Sequence, residues 1–216
     1  MTQKSFDPKL EIEKLKSLIQ RHDYLYYVLN QPEISDYEYD KLYKQLQDLE
    51  TKYPELITSD SPTQRVSGTP IKEFNTVKHS IPMLSLDNTY SKEEIYAWGK
   101  KISKIVSLKN STFLVEPKID GLSCALHYKD GIFYIAATRG DGLEGEDVTL
   151  NVKTIHSIPL NLNLLNNNIE IPKYLEVRGE IFINKKDFLK LNKKLSENNE
   201  QTFANARNAA SGSLRQ

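Results

Sequence analysis

At 216 residues the chain can hold one good-sized domain or two small ones, with ample core. Lys plus Arg and Asp plus Glu each number 29, so the net charge of zero excludes a nonspecific polycation, and any nucleic-acid face must come from local clustering. The lone cysteine, Cys124, excludes an internal disulfide and a cysteine-rich zinc site. With no apolar run of membrane length and no signal-peptide core, a soluble, cytoplasmic chain is expected.

Asp7-Pro8 joins a capping residue to a proline suited to a first helical turn. Leu10, Leu15, Leu18, Ile19, His22, Leu25, Tyr26 and Leu29 then keep helical spacing until Gln31-Pro32 stops it. A capping box, Ser35 with Glu38, opens a second helix whose apolar stripe is Tyr39, Leu42, Tyr43, Leu46 and Leu49. The pair makes a helical hairpin. A Pro/Gly/Ser-rich piece from Ser61-Pro62 to Ser67-Gly68-Thr69-Pro70 follows, and it places a domain boundary between 1–70 and 71–216. Near the hairpin connection Tyr26, Tyr27, Asp36, Tyr39 and Asp40 fall close together, with Asp36 and Asp40 one turn apart on one face. Tyrosine faces attract cations and paired carboxylates accept hydrogen bonds, so a positively charged ring such as nicotinamide suits that slot. The same residues also admit a plainer reading, with tyrosines packed in the core and acids capping the second helix.

Met83, Leu84 and Leu86 read locally as core. Ser91 with Glu94 is a further capping box, and Ile95, Trp98, Ile102 and Ile105 are expected to give its helix one buried face. Phe113 to Ser123 reads as a strand, which would project Glu116, Lys118 and Asp120 to one side and turn Val115 and Ile119 toward a core. A lysine held between carboxylates can be a nucleophile where nearby cations or desolvation keep its amine neutral. An exposed sheet face of solvated charges is the alternative.

Leu122 to Tyr128 and Ile132 to Ala137 flank Lys129-Asp130-Gly131, a hairpin signal. The hairpin delivers Thr138-Arg139-Gly140-Asp141-Gly142-Leu143-Glu144-Gly145. Its G-x-G-x-x-G is not a dinucleotide-fold loop, because that loop opens a helix inside a parallel unit, whereas 148–160 carries β-branched residues and a proline. It reads instead as a loop bringing backbone amides and Arg139 near a phosphate or ribose. Tyr174 to Ile183 is a further strand with Glu176, Arg178 and Glu180 on one face. Residues 161–168 read as a loop, and Asn184 to Leu195 as a helix by Phe188, Leu191 and Leu195. In the closing stretch Arg207 and Arg215 are suited to bidentate phosphate contacts.

Glu116-Pro117-Lys118-Ile119-Asp120-Gly121 resembles the Glu-x-Lys-x-Asp-Gly adenylation motif of the covalent nucleotidyltransferases, the DNA and RNA ligases and mRNA capping enzymes. Tyr26-Tyr27, Pro32, Ser35 to Asp40, Pro54-Glu55-Leu56 and Ser61-Pro62-Thr63-Gln64-Arg65-Val66 are similar to the nicotinamide-mononucleotide-binding module of bacterial NAD-dependent DNA ligases. ATP-dependent relatives lack that module. His79 to Asn88, Thr138 to Gly142, Glu176 to Glu180 and Phe203 to Asn208 are also similar to segments of this family, in its order. Ala206 stands where the family has proline, a change expected to loosen a turn.

The resemblance implies an α+β fold, a helical hairpin module (1–70) followed by a C-terminally incomplete nucleotidyltransferase domain (71–216) of antiparallel sheet with flanking helices. It implies NAD-dependent nick sealing in DNA replication and repair, through AMP carried on Lys118, with magnesium or manganese offsetting phosphate charge. Tyr26, Tyr27, Asp36, Tyr37, Glu38, Tyr39 and Asp40 would hold the departing nucleotide, and Ser85 and Leu86 would line the nucleotide site. Glu116 would bind adenine beside Asp120 and Gly121; Arg139 and Glu180 would meet the ribose or phosphates, and Arg207 and Arg215 phosphates. The expected partner of the full-length family is nicked double-stranded DNA, engaged as a monomer and away from membranes. As the family is built, Gln216 falls inside the adenylation domain, before the later lysine motifs, the OB-fold, the zinc module, the helix-hairpin-helix repeats and the BRCT domain. The chain is thus expected to be an N-terminal fragment that does not seal nicks alone. An ATP-dependent ligase or capping-type enzyme, and a non-catalytic NAD-binding module, stay open as alternatives.

Overall fold

The computed structural model describes residues 6–29, 31–65, 74–162 and 170–215. Ser67 to Pro70 of the expected boundary, and most of the asparagine-rich loop, lie outside the described residues.

Helix α1 (Pro8–Asp23) starts where Asp7 caps it, its side chain accepting from the backbone N–H groups of Lys9 and Leu10. It does not run unbroken to the connection. Tyr24–Val28 is a π turn, its widened ring closed by Leu29 N–H donating to the Tyr24 carbonyl at 3.1 Å. Helix α2 (Asp36–Lys52) opens with both halves of the Ser35–Glu38 capping box in place. The two helices close on a small apolar core of Ile12, Leu15, Ile19 and Leu46, flanked by Tyr39, Leu42, Tyr43, Leu49 and Leu56.

The second half is built on a three-stranded antiparallel sheet, order β3-β2-β5, from β2 (Leu122–Lys129), β3 (Ile132–Thr138) and β5 (Tyr174–Ile181). The β2–β3 turn forms as expected, with Asp130 and Gly131 at φ of 50° and 79°. Strands β1 (Thr76–Lys78) and β4 (Glu144–Glu146) form a separate antiparallel pair that ties the glycine loop down. One face of the main sheet buries Cys124, Tyr128, Phe133 and Ala136 against Val148, Val152, Leu160 and Leu214. The last four come from α4 (Thr149–Lys153), its flanks and α6 (Ala206–Leu214). Helix α5 (Lys185–Glu197) is capped by Asn184.

Several expectations are corrected. Residues 111–120 form no strand and are exposed throughout, Val115 at 92% and Leu114 at 84%. Both edges of β2 are filled by β3 and β5, and no described strand runs beside 111–120 to take its backbone hydrogen bonds. Glu116, Lys118 and Asp120 are therefore not aligned on one strand face. Helix α3 (Lys92–Ile102) forms where Ser91 caps it, yet none of its residues is buried, and the stripe of Ile95 and Trp98 faces solvent. The β-branched stretch after Val148 holds the short α4. Ala206 is the first residue of α6 and not part of a turn, so a proline there would fit a helix start.

Candidate functional site

Tyr26, Tyr27, Asp36, Tyr39 and Asp40 line one cavity of about 360 Å³, closed by His22, Pro32 and Ser35. The π turn sets the first two rings side by side, their centroids 4.8 Å apart in an edge contact. Helix α2 supplies Asp36, Tyr39 and Asp40 from its first turns, and an ion pair of Arg21 with Glu33 at 2.7 Å fastens the connection across the rim. Tyr37 and Glu38 are placed elsewhere: Tyr37 is 79% exposed, and the Glu38 carboxylate is taken up by Ser35 in the capping box. Tyr39 donates its hydroxyl to Asp23 at 2.7 Å, and burial together with that carboxylate pushes its pKa far up. Burial, then the Asp23 charge, raises Tyr27 as well. Neutral phenol rings beside two carboxylates make a slot for a flat cation with hydroxyls.

A second cluster sits at the start of β2. Glu180 accepts from the Gly121 N–H at 3.1 Å and from the Ser123 hydroxyl at 2.7 Å. Arg139 N–H donates to the Ser123 carbonyl at 3.0 Å, which brings the glycine loop to the same corner. His79 Nε2 lies 3.1 Å from the Thr138 carbonyl and 3.2 Å from that of Arg139; between two acceptors, this nitrogen carries the proton. Gly121 has no room for a side chain, since a Cβ would meet the Ile181 carbonyl oxygen at 2.1 Å. Asp120 pairs with Arg207 at 3.4 Å, at the start of α6. Arg215, at the far end of that helix, pairs with Glu146 at 2.7 Å and does not join Arg207. Glu116 and Lys118 make no hydrogen bond or ion pair among the described residues. Ser85 and Leu86 line another cavity, of about 570 Å³, with Ile95, Trp98 and Ile102. The Trp98 ring lies 6.1 Å from Phe113, so this cavity borders the lysine segment.

Residues 71–216 match the family model of the NAD-dependent DNA ligase adenylation domain, and residues 5–67 that of the DNA ligase-like, N-terminal NAD+-binding domain. The chain belongs to the NAD-dependent DNA ligase family. A DNA ligase of Thermotoga neapolitana is 52% identical over 95% of this chain, and one of Petrotoga mobilis 54% identical over 96%. A DNA ligase of Myxococcus xanthus is 53% identical over 90%. The chain spans only 29–30% of the length of these ligases.

Sequence reasoning missed a set of buried polar residues between the chain's two matched halves. Arg65 donates to the carbonyls of Lys153, Ile155 and Ile158 at 3.1–3.2 Å, spanning 88 to 93 positions in sequence. Lys16, 2% exposed, meets Asp60 at 3.1 Å, and Asp60 also accepts from Asn161 at 2.8 Å. Charged side chains are seldom buried, and nothing in the spacing of these residues marks them as exceptions. The one available hint was the resemblance around Ser61 to Val66, which includes Arg65.

Proposed function

We propose that residues 1–216 are the donor-activating part of an NAD-dependent DNA ligase. The observation that carries this reading is the joint presence of the tyrosine cavity and a lysine segment whose foot, at Gly121, is clamped by Glu180 beside Arg139. The nicotinamide half of NAD would rest among Tyr26, Tyr27, Tyr39, Asp36 and Asp40. Lys118 would attack the adjacent α-phosphorus. A phosphorus–nitrogen bond forms, the bridging phosphorus–oxygen bond breaks, and nicotinamide mononucleotide leaves with the electron pair while the amine gives up a proton. Magnesium would arrive with the phosphates, as is usual for this ion, and offset their charge. Arg139, Glu180 and Arg207 would contact the ribose or phosphates, and Ser85 and Leu86 would border the adenosine.

Nick joining belongs to the relatives at full length. We assign to 1–216 donor binding and the first, self-adenylating step, carried out by a monomer in the cytoplasm. The first domain is taken to end near residue 70. Among the described residues no helix is long and apolar enough to cross a membrane.

One observation favours a second reading, a binding module without catalysis: Lys118 is exposed and makes no hydrogen bond or ion pair among the described residues. Intact-mass spectrometry after incubation with NAD and magnesium separates the two, with Lys118→Ala as the control. One added adenylate on the wild type and none on the variant is expected. NAD binding without an adduct favours the binding module, and labelling by ATP instead of NAD defeats the reading.

A further inference from the structure

The carboxylate of Asp23 sits where three parts of the chain converge, and it is only 2% exposed. A buried carboxylate is costly unless surrounding groups compensate it. One oxygen accepts from the Tyr39 hydroxyl at 2.7 Å and lies 3.6 Å from His156 Nδ1; the other faces Arg65 Nη2 at 3.7 Å. Tyr39 lines the nicotinamide cavity directly. His156 reaches it indirectly, because its ring lies against Tyr27, centroids 4.9 Å apart, and Tyr27 is part of the cavity wall. Arg65 fixes the 153–158 loop that carries His156, through its three carbonyl contacts.

We propose that Asp23 is a positioning residue for the nicotinamide cavity. It orients Tyr39 by its hydroxyl and, with Arg65 and His156, seats Tyr27 against a wall supplied by the second half of the chain. This rests on the nicotinamide reading above. Asp23 lies at the end of α1, just before the π turn, so its attachments decide how the two following tyrosines are presented. The cavity is then a composite. Three of its aromatic walls come from the N-terminal helices, but the backing of one comes from residues about 130 positions away, and loosening the loop loosens the cavity.

The test is calorimetric titration of the 216-residue chain with nicotinamide mononucleotide, alongside thermal melting. Asp23→Asn is expected to weaken binding by about tenfold, the scale of a hydrogen bond to a charged group. Part of that loss should vanish when the substitution is made on Tyr39→Phe, because the two share one contact. His156→Ala should weaken binding as well, and His156→Phe, which keeps a ring against Tyr27, should recover most of it. Asp60→Asn supplies the structural control, since it disturbs the same buried junction without touching the cavity and should lower the melting temperature while leaving affinity unchanged.

Additive effects of Asp23→Asn and Tyr39→Phe overturn the proposal. So does unaltered affinity in His156→Ala, which settles the matter even if Asp23→Asn fails to fold. An affinity loss in Asp60→Asn matching that of Asp23→Asn would reduce Asp23 to a merely structural part. A wild type that does not bind the mononucleotide overturns the nicotinamide reading itself, and this proposal with it; a wild type that binds while the variants match it overturns this proposal alone.

Discussion

Glu180 spends one carboxylate oxygen on Gly121, just before β2, and the other on Ser123 within it, and Gly121 lets the backbone pass beneath the Ile181 carbonyl. The lysine segment is thus fastened at its foot, with Asp120 paired to Arg207 and Lys118 left exposed. Gly121→Ala has to push the end of β5 away, because the obstruction is backbone and not a flexible side chain. It should cost about 1–3 kcal/mol of unfolding free energy in urea melts. It should also abolish adenylation of Lys118, since the clamp cannot close. The five cavity residues were legible in the sequence because i, i+4 spacing and a short connection suffice to bring them together. Asp23, Arg65 and His156 were not. Their burial and pairing depend on which loop lies across from which helix, and nothing in the spacing of charges along the chain records that.

Among the elements, every helix start read from a capping signal was found where expected, because Asp7, Ser35 and Ser91 act through neighbouring backbone groups. What failed was the inference from apolar spacing to burial. Among the described residues, helix α3 keeps its stripe with no element over it, and 111–120 has strand-forming residues without a strand to pair with. Periodicity says which residues share a face; it does not supply the surface they pack on. The π turn was hidden for a related reason: its signal is a one-residue widening that apolar positions tolerate. At the end of the chain, Ala206 occupies the first position of α6, where proline's fixed φ is already helical and its missing N–H costs no intrahelical bond. Ala206→Pro should raise unfolding free energy by about 0.4–1 kcal/mol, seen as a higher urea midpoint at unchanged slope.

At the level of the whole molecule, two apolar cores are joined by a polar seam, with Arg65, Lys16 and Asp60 in place of a shared hydrophobic layer. Such a seam should register in acid. Burial works against ionised Asp60, but hydrogen bonds from Thr58 and Asn161 and the charge of Lys16 outweigh it and hold its pKa below the ordinary 3.8. A carboxyl that binds protons more weakly folded than unfolded contributes fully above pH 3.8 and loses that contribution as pH falls through its lower folded value. Asp60→Asn should therefore be less stable than the wild type at pH 5, and the gap in urea midpoint should narrow steadily toward pH 2.5. A gap that stays constant over that range would mean the pairing with Lys16 adds nothing through charge. Arg65 stood within the Ser61 to Val66 motif, but its partners, 88 or more positions away, could be seen only in three dimensions.

Trp98 is the chain's one tryptophan, it is partly open to water, and it leans on Phe113, five residues before Lys118. The molecule thereby carries a built-in optical reporter at that doorway. Whatever settles over the exposed segment, whether a nucleotide or a further stretch of polypeptide, must change the solvent around that indole, so its emission colour tracks the event without any label.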